Sequence, residues 1–182
     1  LWFQLGGVDT DALEYVFGDA VDGILPVSES IRARLAELHA AGEVPPFGGP
    51  WINRFFRDGF VSINVLREPT DASDPEWFTR TEISLREKMH TLIDTLRREF
   101  PEFRNAWLAK SGIQTGVRET YHIVGLYKLS QDDIIHPKAF PDTIAKGAHT
   151  IDIHHSDSID QNEFVLLRRP YNVPFRCLVP QG

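Results

Sequence analysis

Between residues 75 and 100 the apolar positions recur in steps of three and four, and no other stretch of the chain is so regular. Phe78, Leu85, Met89, Leu92, Ile93, Leu96 and Phe100 fall on one stripe, while Arg80, Glu82, Arg86, Glu87, Lys88, Arg97, Arg98 and Glu99 take the other faces. The pattern predicts a surface helix packed on a core. At ~1.5–3 kcal/mol per side chain, burying that stripe contributes on the order of 10–20 kcal/mol gross, most of which is offset by the entropy of ordering the segment. Pro101 suits the first turn of a short following helix over residues 102–109.

Outside this region the apolar runs are short and bounded by turn residues. Residues 1–8 read as a strand reaching Gly6-Gly7, and Asp9 or Thr10 is placed to cap a short helix over 11–17. Ser28 or Ser30 caps a helix over 31–41 that Gly42 ends. The Pro- and Gly-rich stretch 44–50 is a loop, and 51–56 and 60–66 are strands joined by the hairpin signal Arg57-Asp58-Gly59. Beyond Ser111-Gly112 the texture is strand-rich: 113–117, 121–128, 149–155, 164–168 and 173–179. Two short helices interrupt it, one opened by Ser130 with Asp133 as a capping box and ended by Pro137, the other over 141–146 and closed by Gly147. The sum is an α+β fold, a mixed and largely antiparallel sheet with one long amphipathic helix and several short ones. Residues 1–182 are expected to form a single domain, with a helical sub-region at about 70–110.

Charge and composition narrow the partners. A net charge of -7 repels phosphate backbones and anionic membranes, and no basic run or aromatic-interleaved basic stripe offsets it. Neither nucleic acid nor a membrane is an expected partner. No apolar run reaches the ~20 residues that span a bilayer, and residues 1–8 lack the form of a secretory signal; a cytoplasmic protein is expected. The single Cys177 leaves no internal disulfide and no cysteine-based metal centre, and its apolar neighbours predict an inert buried thiol. The chain opens on LWFQLGG without an initiator Met, its one Met being Met89, and closes on CLVPQG, so a piece of a longer polypeptide is expected.

Three polar clusters in the strand-rich half are the candidate chemistry: GVRETYHIVG, TIDIHHSD and RRPYNVPFR. Asp152 and His154, two apart on a predicted strand, share a face, which lets the carboxylate orient an imidazole suited to proton transfer near neutral pH. The same residues with His155 and Asp157 offer imidazole and carboxylate metal ligands, but His154 and His155 face opposite sides of a strand, so no metal is expected. Arg118 and Glu119 pair a permanently charged fork with a carboxylate, suited to recognising a substrate carboxylate or a carbonyl-rich ring, or to a structural ion pair. Tyr171 and Arg176 flank Pro174, which stiffens the backbone between them.

In their order, GVRETYHIVGLYKLSQDDI, the expected short FPDTIAKG helix, IDIHH and YNVPFRCLVP resemble the later half of a family of FAD-dependent oxidoreductases, and FRDGFVSINV and LWFQLGGVD resemble its earlier segments. The resemblance spans nearly the whole chain. It implies a larger Rossmann-like FAD enzyme, excised here to its middle, substrate-side segment, in which the parent transfers a hydride between an unidentified substrate and the flavin. No Gly-x-Gly-x-x-Gly is present, and Gly6-Gly7 and Gly48-Gly49 lack the strand-to-helix setting of a phosphate cradle. The resemblance therefore implies that FAD belongs to the parent and is not retained by this piece, whose partners are a small-molecule substrate and the FAD-binding remainder of the chain.

Carried over position by position, the resemblance makes His154 and Arg118 catalytic and places Arg118, Glu119, Tyr171 and Arg176 against the cofactor, with Asp152 and His155 supporting the substrate side. The chain departs from the family pattern in two places. Tyr121 and His122 stand where a second Arg often follows, and Leu126 stands where an Asp often precedes the strand-ending Tyr127. Both departures bear on substrate identity. Two other functions fit the residues by themselves: a non-catalytic ligand-binding or interaction module with structural polar clusters, and a metal-dependent hydrolase built on Asp152 and His154.

Overall fold

A computed structural model of the chain describes residues 1–13, 26–54, 57–118, 120–154 and 162–182. These fall into two compact units, one within Leu1–Arg118 and one within Glu119–His155 and Gln161–Gly182. The architecture is mixed α and β with antiparallel sheets, as the sequence predicts.

In the first unit, β1 (Trp2–Gly6), β2 (Trp51–Arg54), β3 (Val61–Asn64) and β4 (Trp107–Ser111) form an antiparallel sheet in the order β2-β3-β1-β4. Its register sets Phe3 opposite Ile63 and Ile63 opposite Ile52, and Leu5 opposite Val61. Each of these side chains is buried, and they join Ile31 and Leu35 of α1 (Pro26–Ala40) and Leu85, Met89, Leu92, Ile93 and Leu96 of α2 (Pro75–Glu99) in one hydrophobic core. Arg57-Asp58-Gly59 joins β2 to β3 as expected, with Gly59 in the left-handed conformation at φ 79°.

The long helix stands as its periodicity requires. Asp74 caps it by accepting from the backbone N–H groups of Glu76 and Trp77, Pro75 occupies the first turn, and Arg97 and Arg98 sit in the last. The first helix begins earlier than the serine caps suggest, at Pro26. The predicted helix over 11–17 lies largely outside the described residues.

Four expectations are corrected. Residues 102–109 are not a helix: after a 3-10 turn over Pro101–Phe103 the chain enters β4, because pairing with β1 supplies more hydrogen bonds than a short isolated helix. Residues 113–117 and 121–128 contain no strand, only the single bridge Gly125 to Pro180. In the second unit residues 141–146 are a turn followed by β5 (Thr143–Gly147), which pairs with β8 (Tyr171–Pro174). Past Pro174 the expected strand becomes a 3-10 turn over Phe175–Leu178, whose first N–H groups are taken by Asp142: that of Phe175 by its carbonyl and that of Arg176 by its carboxylate. The remaining elements are α3 (Gln131–Ile135), β6 (Ile151–His154) and β7 (Asn162–Val165), the last two paired antiparallel.

Leu92 is fully buried at the centre of the α2 stripe. Leu92→Ala is expected to cost ~2–5 kcal/mol through lost burial and the cavity left behind, read from denaturant melts. A loss under ~0.5 kcal/mol, the scale of surface changes, would contradict the packing.

Candidate active site

The predicted site residues fall in both units. Arg118 lies in the first, exposed in the loop after β4, and is not without a partner. In the second, β6 carries positions 152 and 154 on one face, and the register sets them opposite Phe164 and Asn162 of β7. Asp152 is half-buried and partnered. The side chain of His154, and Glu119, His155 and Asp157, lie outside what is described.

Tyr171 and Arg176 both have local partners. The Tyr171 ring lies directly over Gly147, its cross-strand neighbour, so closely that any β-carbon there would meet the phenol. Arg176 donates from Nε to Asp142 Oδ2 at 3.0 Å, and its guanidinium stacks 5.2 Å above the Tyr127 ring. Burial opposes the charge on Asp142, but the Arg176 backbone N–H and guanidinium hold its carboxyl below the ordinary carboxylate value.

A polar network adjoins this pair. Asp133, whose side chain is 1% exposed, accepts on Oδ2 from the Ser130 N–H at 3.0 Å, the Ser130 hydroxyl at 2.8 Å and the Tyr127 hydroxyl at 2.8 Å, while Lys138 Nζ lies 2.9 Å from Oδ1. The capping box that the sequence predicts is thus formed. The Ser130 N–H first, then Lys138, the Ser130 hydroxyl and Tyr127, hold the Asp133 carboxyl far below its ordinary value. Asp133 in turn pushes the Tyr127 hydroxyl up and, with Asp132, the Lys138 ammonium. Sequence reasoning missed Tyr127, Asp142 and Lys138 as a connected set. The spacing Ser130 to Asp133 was the only local signal, since Asp142 reaches Arg176 across 34 positions.

Gly6-Gly7 and Gly49 are not shaped as a cradle for the phosphates of a dinucleotide. A β-carbon on Gly6 would meet the Trp107 ring at 2.6 Å, and Gly7 at φ 74° lies against Trp107 and the Asn105 carbonyl, so this pair admits an indole. Gly49 packs on Val65 and Trp51. Neither pair opens a helix N-terminus onto an anion, which is what a phosphate cradle needs. Among the described residues no group of three or more His, Cys, Asp or Glu is gathered to hold a metal, and no helix is long and apolar enough to cross a membrane.

An α+β chain with polar side chains set along short antiparallel strands is what these observations define. Over residues 1–182 it matches the family of FAD dependent oxidoreductases, and it belongs to that family. Comparison with curated proteins and with solved structures finds no match.

Because the folded state lowers the affinity of Asp133 for its proton, the carboxylate stabilises the fold above the unfolded value near ~4 and loses that contribution as pH falls below it. Asp133→Asn should therefore lower the melting midpoint at pH 7. The gap to the unsubstituted protein should stay constant from pH 7 to about 5 and narrow below ~4. Thermal melts across that range check it, and a gap that widens on acidification would contradict the network.

Proposed function

We propose that residues 1–182 form the substrate-side α+β segment of an FAD-dependent oxidoreductase. The observation that carries the reading is the family match along the entire chain, together with Arg118 in the Gly-x-Arg-Glu motif and positions 152 and 154 on one face of β6. The flavin supplies the two-electron chemistry of the family, exchanging a hydride with a substrate yet to be identified. This segment orients that substrate and handles its proton. Arg118 serves as the bidentate anchor for a carboxylate or carbonyl group, His154 is the general acid or base, and Asp152 orients it with His155 adjacent.

In this reading Glu119, Tyr171 and Arg176 stand on the cofactor side. Tyr171 and Arg176 serve there through the rigid β5–β8 corner that they complete with Gly147 and Asp142. The packing of Gly6, Gly7 and Gly49 supports locating the FAD phosphates outside this stretch, so residues 1–182 alone do not retain FAD and are inactive. The partners are then a small-molecule substrate and the FAD-binding remainder of the polypeptide, in the cytoplasm, with neither nucleic acid nor membrane involved. A second reading, in which the clusters are purely structural, is favoured by one observation: Arg176 is already engaged by Asp142 and Tyr127.

In the intact enzyme His154→Ala is expected to slow reduction of the bound flavin by ~10²–10⁴, the usual contribution of a positioned general acid or base, with little change in melting. Anaerobic stopped-flow reduction, compared with melts of the same variant, decides between the readings. Reduction at the unsubstituted rate would leave the clusters structural.

A further inference from the structure

The loop that carries Arg118 has little packing of its own. Ile113 is 96% exposed, Val117 and Arg118 are exposed, and no atom lies within 4 Å of where a β-carbon on Gly116 would sit. The segment just before it is nonetheless held, and two side chains of α2 hold it. The Glu82 carboxylate accepts the backbone N–H of Thr115 through Oε1. Arg86 donates to Ser111 Oγ at 3.2 Å, the Gly112 carbonyl at 3.3 Å and the Ile113 carbonyl at 3.1 Å. Its guanidinium lies 3.1 Å from Glu82 Oε2, one turn away on the helix. Thr115, 7% exposed, is the last buried residue before Arg118.

From this we infer that Glu82 and Arg86 are positioning residues for Arg118. The fork of Arg86 spans three acceptors at the exit of β4 while it orients Glu82, and Glu82 fixes the last buried amide, so the pair sets where the chain leaves the sheet and in which direction. Arg118 follows Thr115 by three residues, which extend at most ~10 Å. A slip at the anchor therefore moves the point from which the chain runs to Arg118. A displacement of ~1 Å in a substrate-orienting group is enough to lower the rate of a reaction substantially. A helix with an exposed Glu-x-x-x-Arg pair elsewhere gains only a weak surface ion pair; here the same spacing gives α2 a second use, on the flank of its buried stripe. The inference rests on the reading of Arg118 as a site residue.

The test uses the intact enzyme with its bound FAD and the variants Glu82→Ala, Arg86→Ala, Arg86→Lys and Arg118→Ala. Hydrogen exchange over residues 112–118 reads the loop, and visible circular dichroism of the flavin reads the arrangement around it; melting midpoints are taken alongside. Glu82→Ala and Arg86→Ala should speed exchange of the Thr115 amide about tenfold or more, the scale of one hydrogen bond to a charged acceptor, and should change the flavin spectrum in the same sense as Arg118→Ala. Arg86→Lys, which cannot span three acceptors, should fall between Arg86→Ala and the unsubstituted enzyme. If Glu82→Ala does not fold, Arg86→Ala and Arg86→Lys carry the test, since both leave the Glu82 carboxylate in place and loosen its orientation and the exit of β4. Unchanged exchange in these variants overturns the inference. So does faster exchange with an unsubstituted-like spectrum while Arg118→Ala alters it, and that outcome leaves the reading of Arg118 intact. A spectrum unmoved by Arg118→Ala overturns that reading, and the inference with it.

Discussion

β1 is hydrogen-bonded on both sides, and the first unit depends on that position. Its Phe3 and Leu5 continue the rows that Ile52, Ile63 and Val61 begin on β2 and β3, and the rows face the apolar stripe of α2. Remove the rows and the helix has no surface to pack on; helices of this kind draw most of their stability from such packing. On its other side β1 pairs with β4, and the close fit of the Trp107 indole over Gly6 and Gly7 brings the two strands together at that end. From the far end of β4 the chain runs through Ser111 and Thr115 to Arg118. The buried stripe of α2 and the side chains on its flank thus hold β4 and the chain that leaves it as far as Thr115.

The second unit is held by different means. Among its described residues only Gly125, Asp133 and Pro174 are buried, and its sheets are two-stranded ribbons, which are marginal without further support. Polar contacts of high directionality supply that support. Asp133 gathers four donors, and Asp142 receives the backbone and side chain of Arg176 while Arg176 covers Tyr127. A buried carboxylate is tolerated only with its oxygens satisfied. Of the motifs that read as chemistry in the sequence, Arg176 and Tyr171 build the frame, and β6 carries positions 152 and 154 on one face.

Legibility followed the range of the interaction concerned. The α2 helix, the Asp-Gly hairpin and the Ser130–Asp133 capping box were all readable, because each is encoded within a few residues of itself. The misread segments are those decided at a distance. Trp107 to Ser111 has helix-compatible residues but is taken up by β1, a hundred positions earlier, and Asp142 looks like a helix-opening residue but is claimed by Arg176. Ile113 to Val117 has the β-branched texture of a strand and finds no partner strand; the side chains of Glu82 and Arg86 take its polar backbone instead. Of the site, the face shared by positions 152 and 154 followed from a period of two. The hold of Glu82 and Arg86 on residues 111–115 did not, since both look in the sequence like ordinary solvent-facing charges.

Hydrogen exchange of the intact enzyme, compared with and without FAD, distinguishes a segment that meets the substrate side of the flavin from one that cradles the dinucleotide. A substrate-side segment should show slower exchange with FAD at residues 116–118 and 151–154, with Gly6-Gly7 and Gly48-Gly49 unchanged. Protection at either glycine pair, with none at 116–118 or 151–154, would contradict that reading.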